Sequence, residues 1–134
     1  QNPDILFTLI GRWPSDYCRA NVTLEGVITN RERLAGKLQT AQALLTMSRH
    51  EACPNHVLEA LACGLPVLYL DSGATRELVG VAGHATTGET FGDDLKNVVL
   101  QGSSLREAAR QQALAFTPDV IFPQYLDAIQ AAVR

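Results

Sequence analysis

Short apolar runs, each closed by glycine, proline or small polar residues, alternate along the chain with amphipathic stretches. Asp4 to Ile10 is almost continuously apolar and stops at Gly11, which predicts a buried parallel strand. Arg12 to Ala20, with Trp13, Pro14, Ser15 and Asp16, reads as a loop with at most one helical turn. A second strand, Val22 to Leu24, breaks at Gly26. Thr29 or Asn30 can cap a helix to about Thr40, with Leu34, Leu38 and Ala41 on one face. Ala43–Met47 and Val67–Leu70 are strands flanking a polar loop and an Ala- and Leu-rich helix closed by Gly64 and Pro66. Asp71-Ser72-Gly73 then turns into a short helix from Ala74 to Val79, stopped by Gly80, and Gly83-His84-Ala85 forms a last strand. Thr90 to Val99 is helical, with Leu95, Val98 and Val99 inward. Ser103 or Ser104 caps the next helix to about Phe116, Glu107 lying at capping-box spacing from Ser104. Thr117-Pro118 starts the final helix, which Pro123 kinks or restarts, so that regular helix runs from Gln124 to Ala132.

Strands that alternate with helices imply βα units. The expected fold is α/β, a Rossmann-like parallel sheet flanked by helices, in one domain spanning residues 1–134 without repeats or linkers. Such sheets bind ligands where loops leave the carboxyl ends of the strands. The loop after Ala43–Met47 is therefore the leading candidate, with Ser72-Gly73 the second choice for an anion.

That loop and its helix read S-R-H-E-A-C-P-N-H-V-L-E-A-L-A-C-G-L-P-V, from Ser48 to Val67. Pro54 suits the first helical position, and Asn55 can cap a helix that starts one residue later. The amides of Asn55, His56, Val57 and Leu58 are then expected to lack intrahelical partners and to carry the positive end of the helix dipole, a seat for phosphate. Glu51 and Glu59, with seven residues between them, are instead suited to accept hydrogen bonds from hydroxyls, as on ribose and sugar rings. A phosphate flanked by two sets of hydroxyls describes a nucleotide sugar.

The spacing E-x-x-P-N-x-x-x-E-A-x-A-x-G-x-P-V (Glu51, Pro54, Asn55, Glu59, Ala60, Ala62, Gly64, Pro66, Val67) closely resembles the E-x7-E signature of retaining GT-B glycosyltransferases of the group 1 or family 4 type. Asp71-x-Gly73-x-x-x-Glu77-Leu78-Val79, Asn21-Val22-x-Leu24-x-Gly26 and Phe7 to Pro14 are similar to neighbouring elements of that family. The resemblance implies the carboxyl-terminal, donor-binding half of a two-domain enzyme. The reaction that the resemblance implies moves a hexose from a nucleotide sugar to an acceptor hydroxyl with retention and without a metal. The resemblance also implies that Glu51 contacts the transferred sugar, Glu59 holds the ribose, Asn55 to Leu58 receive the diphosphate, and Gly26 to Ile28, including Val27, lie near the base. His50 and His56 flank the site. Arg49 and Arg12 are the nearest substitutes for the Arg and Lys of the family's G-R-x-x-x-x-K-G stretch.

That stretch, with the family's first strand, is expected to be absent, as is the acceptor domain; Gln1 is not an initiator methionine, which suggests processing or a fragment. By itself the chain is expected to bind nucleotide weakly and transfer nothing. The gap left by the first strand suggests a single sheet with strands ordered 22–26, 4–10, 43–47, 66–70, 83–86. Two rival functions remain: a sugar-nucleotide epimerase of the same architecture, and a non-catalytic binding or interaction module.

Composition narrows partners more than chemistry. Hydrophobic content of 46% and charged content of 19% are those of an ordinary globule. Net charge is −3 with eleven scattered Lys and Arg, which argues against a nucleic-acid groove or an anionic membrane surface. Peripheral membrane association is expected only through the acceptor half. Three cysteines, Cys18, Cys53 and Cys63, without CxxC spacing argue for no metal framework and a reduced, cytoplasmic setting. Cys53 and Cys63 read as small buried hydrophobes, His84 as structural, and Asp93-Asp94 as helix capping rather than a metal motif.

Overall fold

The computed structural model describes residues 4–14 and 16–133. Ser15 and the extreme termini lie outside it. Strands and helices alternate through most of the chain: β1 (Phe7–Ile10), β2 (Val22–Gly26), α1 (Arg31–Thr40), β3 (Leu44–Thr46), α2 (Asn55–Ala62), β4 (Val67–Leu70), α3 (Thr75–Val79), β5 (Gly83–Thr86), α4 (Phe91–Leu100), α5 (Gly102–Leu114) and α6 (Pro118–Ala132). Two compact units result, Gln1–Lys37 and Leu38–Arg134.

In the first unit β1 and β2 form a parallel pair, with Phe7 opposite Val22 and Leu9 opposite Leu24. The register then shifts, and Ile10 faces Gly26. The skipped residue is Glu25, and such a bulge re-aims its side chain. Its carboxylate takes Arg33 at 2.9 Å and Lys37, both from α1. These cations hold Glu25 below its usual carboxylate range, the Lys37 hydrogen bond first. The Asn30 side chain accepts from the Arg33 amide at 2.8 Å, so Asn30 is the predicted cap.

The second unit is a three-stranded parallel sheet in the order β3-β4-β5, with Leu44 opposite Val67 and Val67 opposite Gly83. The core lies around Val57, Leu61, Val67, Tyr69, Leu78, Val79, Ala82 and Ala109. β4 is central, and its first three residues are buried, which explains its unbroken apolar run. Helix α2 ends in a Schellman turn: the Leu65 amide donates to the Ala60 carbonyl and the Gly64 amide to that of Leu61, both at 2.9 Å. Gly64 takes the left-handed conformation this requires, at φ +69°. Arg106 of α5 donates to the carbonyls of Gly64 and Ala41, tying the helix end to the entry of β3.

Three expectations are corrected. Strands β1 and β3 belong to different sheets, so 4–10 does not pair with 43–47. The other neighbours of that order stand: β1 pairs with β2, and β3, only three residues long, pairs with β4. Ser103 and Ser104 lie inside α5 rather than at its cap, because the turn closes on Gln101: the Leu105 amide and the Ser104 hydroxyl both donate to its carbonyl. Helix α6 runs unbroken through Pro123. Only the Asp119 carbonyl loses its intrahelical donor there, and Asp119 is exposed to water. No residue of α6 is buried, and Phe122, Tyr125, Leu126 and Ile129 form an exposed stripe along it.

Candidate functional site

All three strands of the second unit are parallel, so the loops after β3, β4 and β5 leave the same edge. The β3 loop, residues 47–54, and the β4 loop, residues 71–74, are stitched together there. The Ala74 amide donates to the Glu51 carbonyl at 3.0 Å. The His50 amide donates to the Ser72 hydroxyl at 3.0 Å. Gly73 passes so close beneath that a β-carbon on it would stand 2.3 Å from the Glu51 carbonyl oxygen and 2.7 Å from its nitrogen. Gly73 also sits at φ +63°. Two requirements, a left-handed backbone and no side chain, explain the glycine of the D-x-G motif. His50 is the only non-glycine residue with positive φ among those described, at 58°. Strain of this kind persists where surrounding contacts hold it.

This clasp fixes the backbone of Glu51 while leaving its side chain half-buried. Among the described residues neither the Glu51 nor the Glu59 carboxylate takes a hydrogen bond or ion pair, nor does the exposed Arg49 guanidinium. Glu59 is exposed on α2, one turn after the exposed Asn55. Its charge adds to burial, the larger cause, in pushing the Cys63 thiol up. Cys53, expected like Cys63 to be buried, is instead exposed on the β3 loop.

The helix start differs from the expectation in detail. Pro54 precedes the first helical residue, in an extended conformation (ψ 98°), and no side chain caps α2. Asn55 is the first helical residue, not the cap. The Val57 amide donates to the Pro54 carbonyl at 2.9 Å, and Val57 is fully buried. Val57 is therefore not a free donor; the tight first turn consumes its N–H. The Asn55 and His56 amides have no partner among the described residues. Leu58 is half-buried. His56 is anchored by its ring, whose Nε2 lies 3.0 Å from the Thr46 hydroxyl at the end of β3.

The Ala74 amide, next to the second-choice anion site at Ser72-Gly73, is occupied by Glu51. Gly26 and Val27 belong to the first unit, where Gly26 ends β2 and Val27 is exposed. The Gly11 amide donates to the Gly26 carbonyl at 2.8 Å and holds that turn to the end of β1. Beyond the clasp, Asp71 pairs with Arg76, whose hydrogen bond draws the carboxyl below its usual range. Sequence reasoning missed Thr46 and the structural role of Ser72. A buried hydroxyl at the carboxyl end of a strand was the available signal for Thr46. Among the described residues no helix is long and apolar enough to cross a membrane, and no group of three His, Cys, Asp or Glu could hold a metal.

Known proteins match this chain as follows. WcaC of Escherichia coli (strain K12), named as a colanic acid biosynthesis glycosyl transferase, is 27% identical over 125 residues, or 87% of this chain and 30% of WcaC. The crystal structure of AviGT4, a glycosyltransferase involved in avilamycin A biosynthesis, superposes with a TM-score of 0.69 at 22% identity, covering 91% of this chain and 41% of AviGT4. The pneumococcal O-GlcNAc transferase GtfA, solved with UDP and GlcNAc, superposes with a TM-score of 0.59 at 17% identity, covering 85% of this chain and 25% of GtfA. The chain thus spans less than half the length of each. The sequence model of the group 1 glycosyl transferases matches residues 1–101, three quarters of the chain, so the chain belongs to that family and carries the α/β fold of its GT-B members.

Proposed function

We propose that this chain is the donor-binding part of a retaining, metal-independent glycosyltransferase that moves a hexose from a nucleotide sugar to an acceptor hydroxyl. The observation that carries the reading is the clasp. It locks the Glu51 backbone to Gly73 and Ala74 while the carboxylate stays without a partner among the described residues. A charge held in place but left unpaired is poised for a ligand, and preorganisation of this kind lowers the cost of stabilising developing charge. In this reading Glu51 faces the transferred sugar and Glu59 receives the ribose hydroxyls. The Asn55 and His56 amides meet the diphosphate at the positive end of α2. Arg49 and His50 lie on the same loop to offset its charge. The acceptor is bound by other parts of the full-length protein, through which any peripheral membrane contact also runs. Three free cysteines, two of them exposed, fit a reducing, cytoplasmic compartment.

The test uses full-length protein with UDP-, GDP- and ADP-sugars. E51Q is expected to lower kcat by about 100-fold or more with little change in donor affinity. E59Q is expected to weaken donor binding by roughly tenfold. Turnover should survive chelator, and the product should keep the donor's anomeric configuration by proton NMR. Full activity in both variants, or an inverted product, refutes the assignment.

A further inference from the structure

The geometry points to Thr46 as a positioning residue that fixes the His56 ring so that Nδ1–H becomes a third donor at the start of α2. The inference rests on the diphosphate reading above. Thr46 is the last residue of β3, and only 6% of its surface is exposed. Its hydroxyl lies 3.0 Å from His56 Nε2, and no other side-chain hydrogen bond reaches it among the described residues.

A hydroxyl carries one hydrogen, and a buried one needs an acceptor. If Nε2 carried the ring proton and donated to Thr46, the Thr46 hydrogen would have no acceptor among the described residues. If the hydroxyl donates to Nε2, both groups are satisfied by a single bond. The ring is then held as the Nδ1–H tautomer, because the bond at one nitrogen sets the state of the other. Nδ1–H is left as the polar atom of the ring without a partner among the described residues. It belongs to the residue whose own amide is also free. Asn55 N–H, His56 N–H and His56 Nδ1–H together would give an anion three donors, replacing the donor that Val57 spends on Pro54. Thr46 thus acts on the ligand only through His56.

Two variants separate this role from packing. T46V keeps the shape and the β-branch but removes the hydroxyl, and T46S restores it. In full-length protein labelled with nitrogen-15 histidine, the His56 ring (assigned by its loss in H56Q) is expected to show a protonated Nδ1 and an unprotonated, hydrogen-bonded Nε2. T46V is expected to lose that fixed pattern and to bind UDP, GDP or ADP, whichever the parent binds, about tenfold more weakly, while its melting temperature falls by no more than the few degrees that one hydrogen bond is worth. T46S is expected to retain both properties. A protonated Nε2 in the parent, or T46V binding nucleotide as tightly as the parent, overturns the proposal. If the parent binds none of the three nucleotides, the diphosphate reading fails, and the ring signature alone then decides whether Thr46 sets the tautomer.

Discussion

Replacing Gly73 by alanine tests whether the clasp is rigid. An alanine β-carbon there would lie 2.3 Å from the Glu51 oxygen, whereas ordinary contact begins at 3.4 Å, so the two loops must part by about 1.1 Å. The Glu51 oxygen is backbone and an alanine side chain has no rotamers, so no rotamer change can relieve the contact. Parting by that amount stretches the 3.0 Å bond from the Ala74 amide to the Glu51 carbonyl beyond hydrogen-bonding range. The left-handed φ of +63° costs a residue with a β-carbon about 1–2 kcal/mol. The lost hydrogen bond adds about 1 kcal/mol, and the forced displacement adds about 1–2 kcal/mol. We expect a total of about 3–5 kcal/mol, read as a lower urea midpoint by circular dichroism. Gly64→Ala is the control within the same unit. It has a comparable φ of +69°, but its β-carbon meets only the guanidinium end of Arg110, which can swing away. It should cost about 1–2 kcal/mol. A 1 Å shift of a catalytic group can also cost about 100-fold in rate, so residual folded G73A should be nearly inactive. If G73A and G64A destabilise equally, the loops are not held together as described and Glu51 is not preorganised by them.

Three further outcomes follow from the same packing. Gly83→Ala should leave little folded protein in a soluble-fraction assay. Its β-carbon would stand 1.9 Å from the Val67 carbonyl oxygen, and relieving the clash opens the β4–β5 ladder at a cost of at least about 3 kcal/mol. Gln112→Ala should lower the melting temperature by about 3–5 °C, the loss of about 1 kcal/mol. Gln112 Nε2 caps the end of α3 by donating to the carbonyls of Glu77 at 3.3 Å and Leu78 at 3.1 Å. Acidification should weaken the fold. Lys37 and Arg33 lower the Glu25 pKa, and Arg76 lowers that of Asp71, so the unfolded state binds protons first. Their contribution is complete above the unfolded values, 4.5 for Glu25 and 3.8 for Asp71, and fades as pH falls through the lower native ones. In acid titrations monitored by circular dichroism, E25Q should flatten this dependence at a given salt concentration, and an unchanged profile would remove Glu25 from the account.

What could be read from the sequence was local. Asn30 caps α1 because a side chain three residues before an amide needs no distant partner. The Gly64 turn was legible because a Schellman cap is encoded within six residues, Ala60 to Leu65. The apolar run of β4 announced a strand covered on both faces. The misreadings are nonlocal or depend on competition among neighbours. β1 and β2 are neighbours as expected, but whether β1 also pairs with β3 is encoded by no hydrophobic period, and the bulge at Glu25 is invisible to a pattern of two. Between Gln101 and Ser104 several residues could close the first turn, and a backbone carbonyl, which every sequence supplies, took the role assigned to a serine.

The candidate site divides along the same line, and the division explains why E-x7-E by itself says so little. Spacing alone puts Glu59 one turn after Asn55, because a helix repeats every 3.6 residues. No spacing places Glu51. Its backbone is set by Gly73 and Ala74, more than twenty residues later, and by a hydroxyl, Ser72, that holds the strained His50. The two acids become one signal only when the second loop is read with the first. D-x-G-x-x-x-E is therefore part of the Glu51 site in space, although it lies beyond the next strand in sequence. On the proposed reading, a substitution at Gly73 or Ser72 then acts on the chemistry of Glu51 without touching any group assigned to the donor.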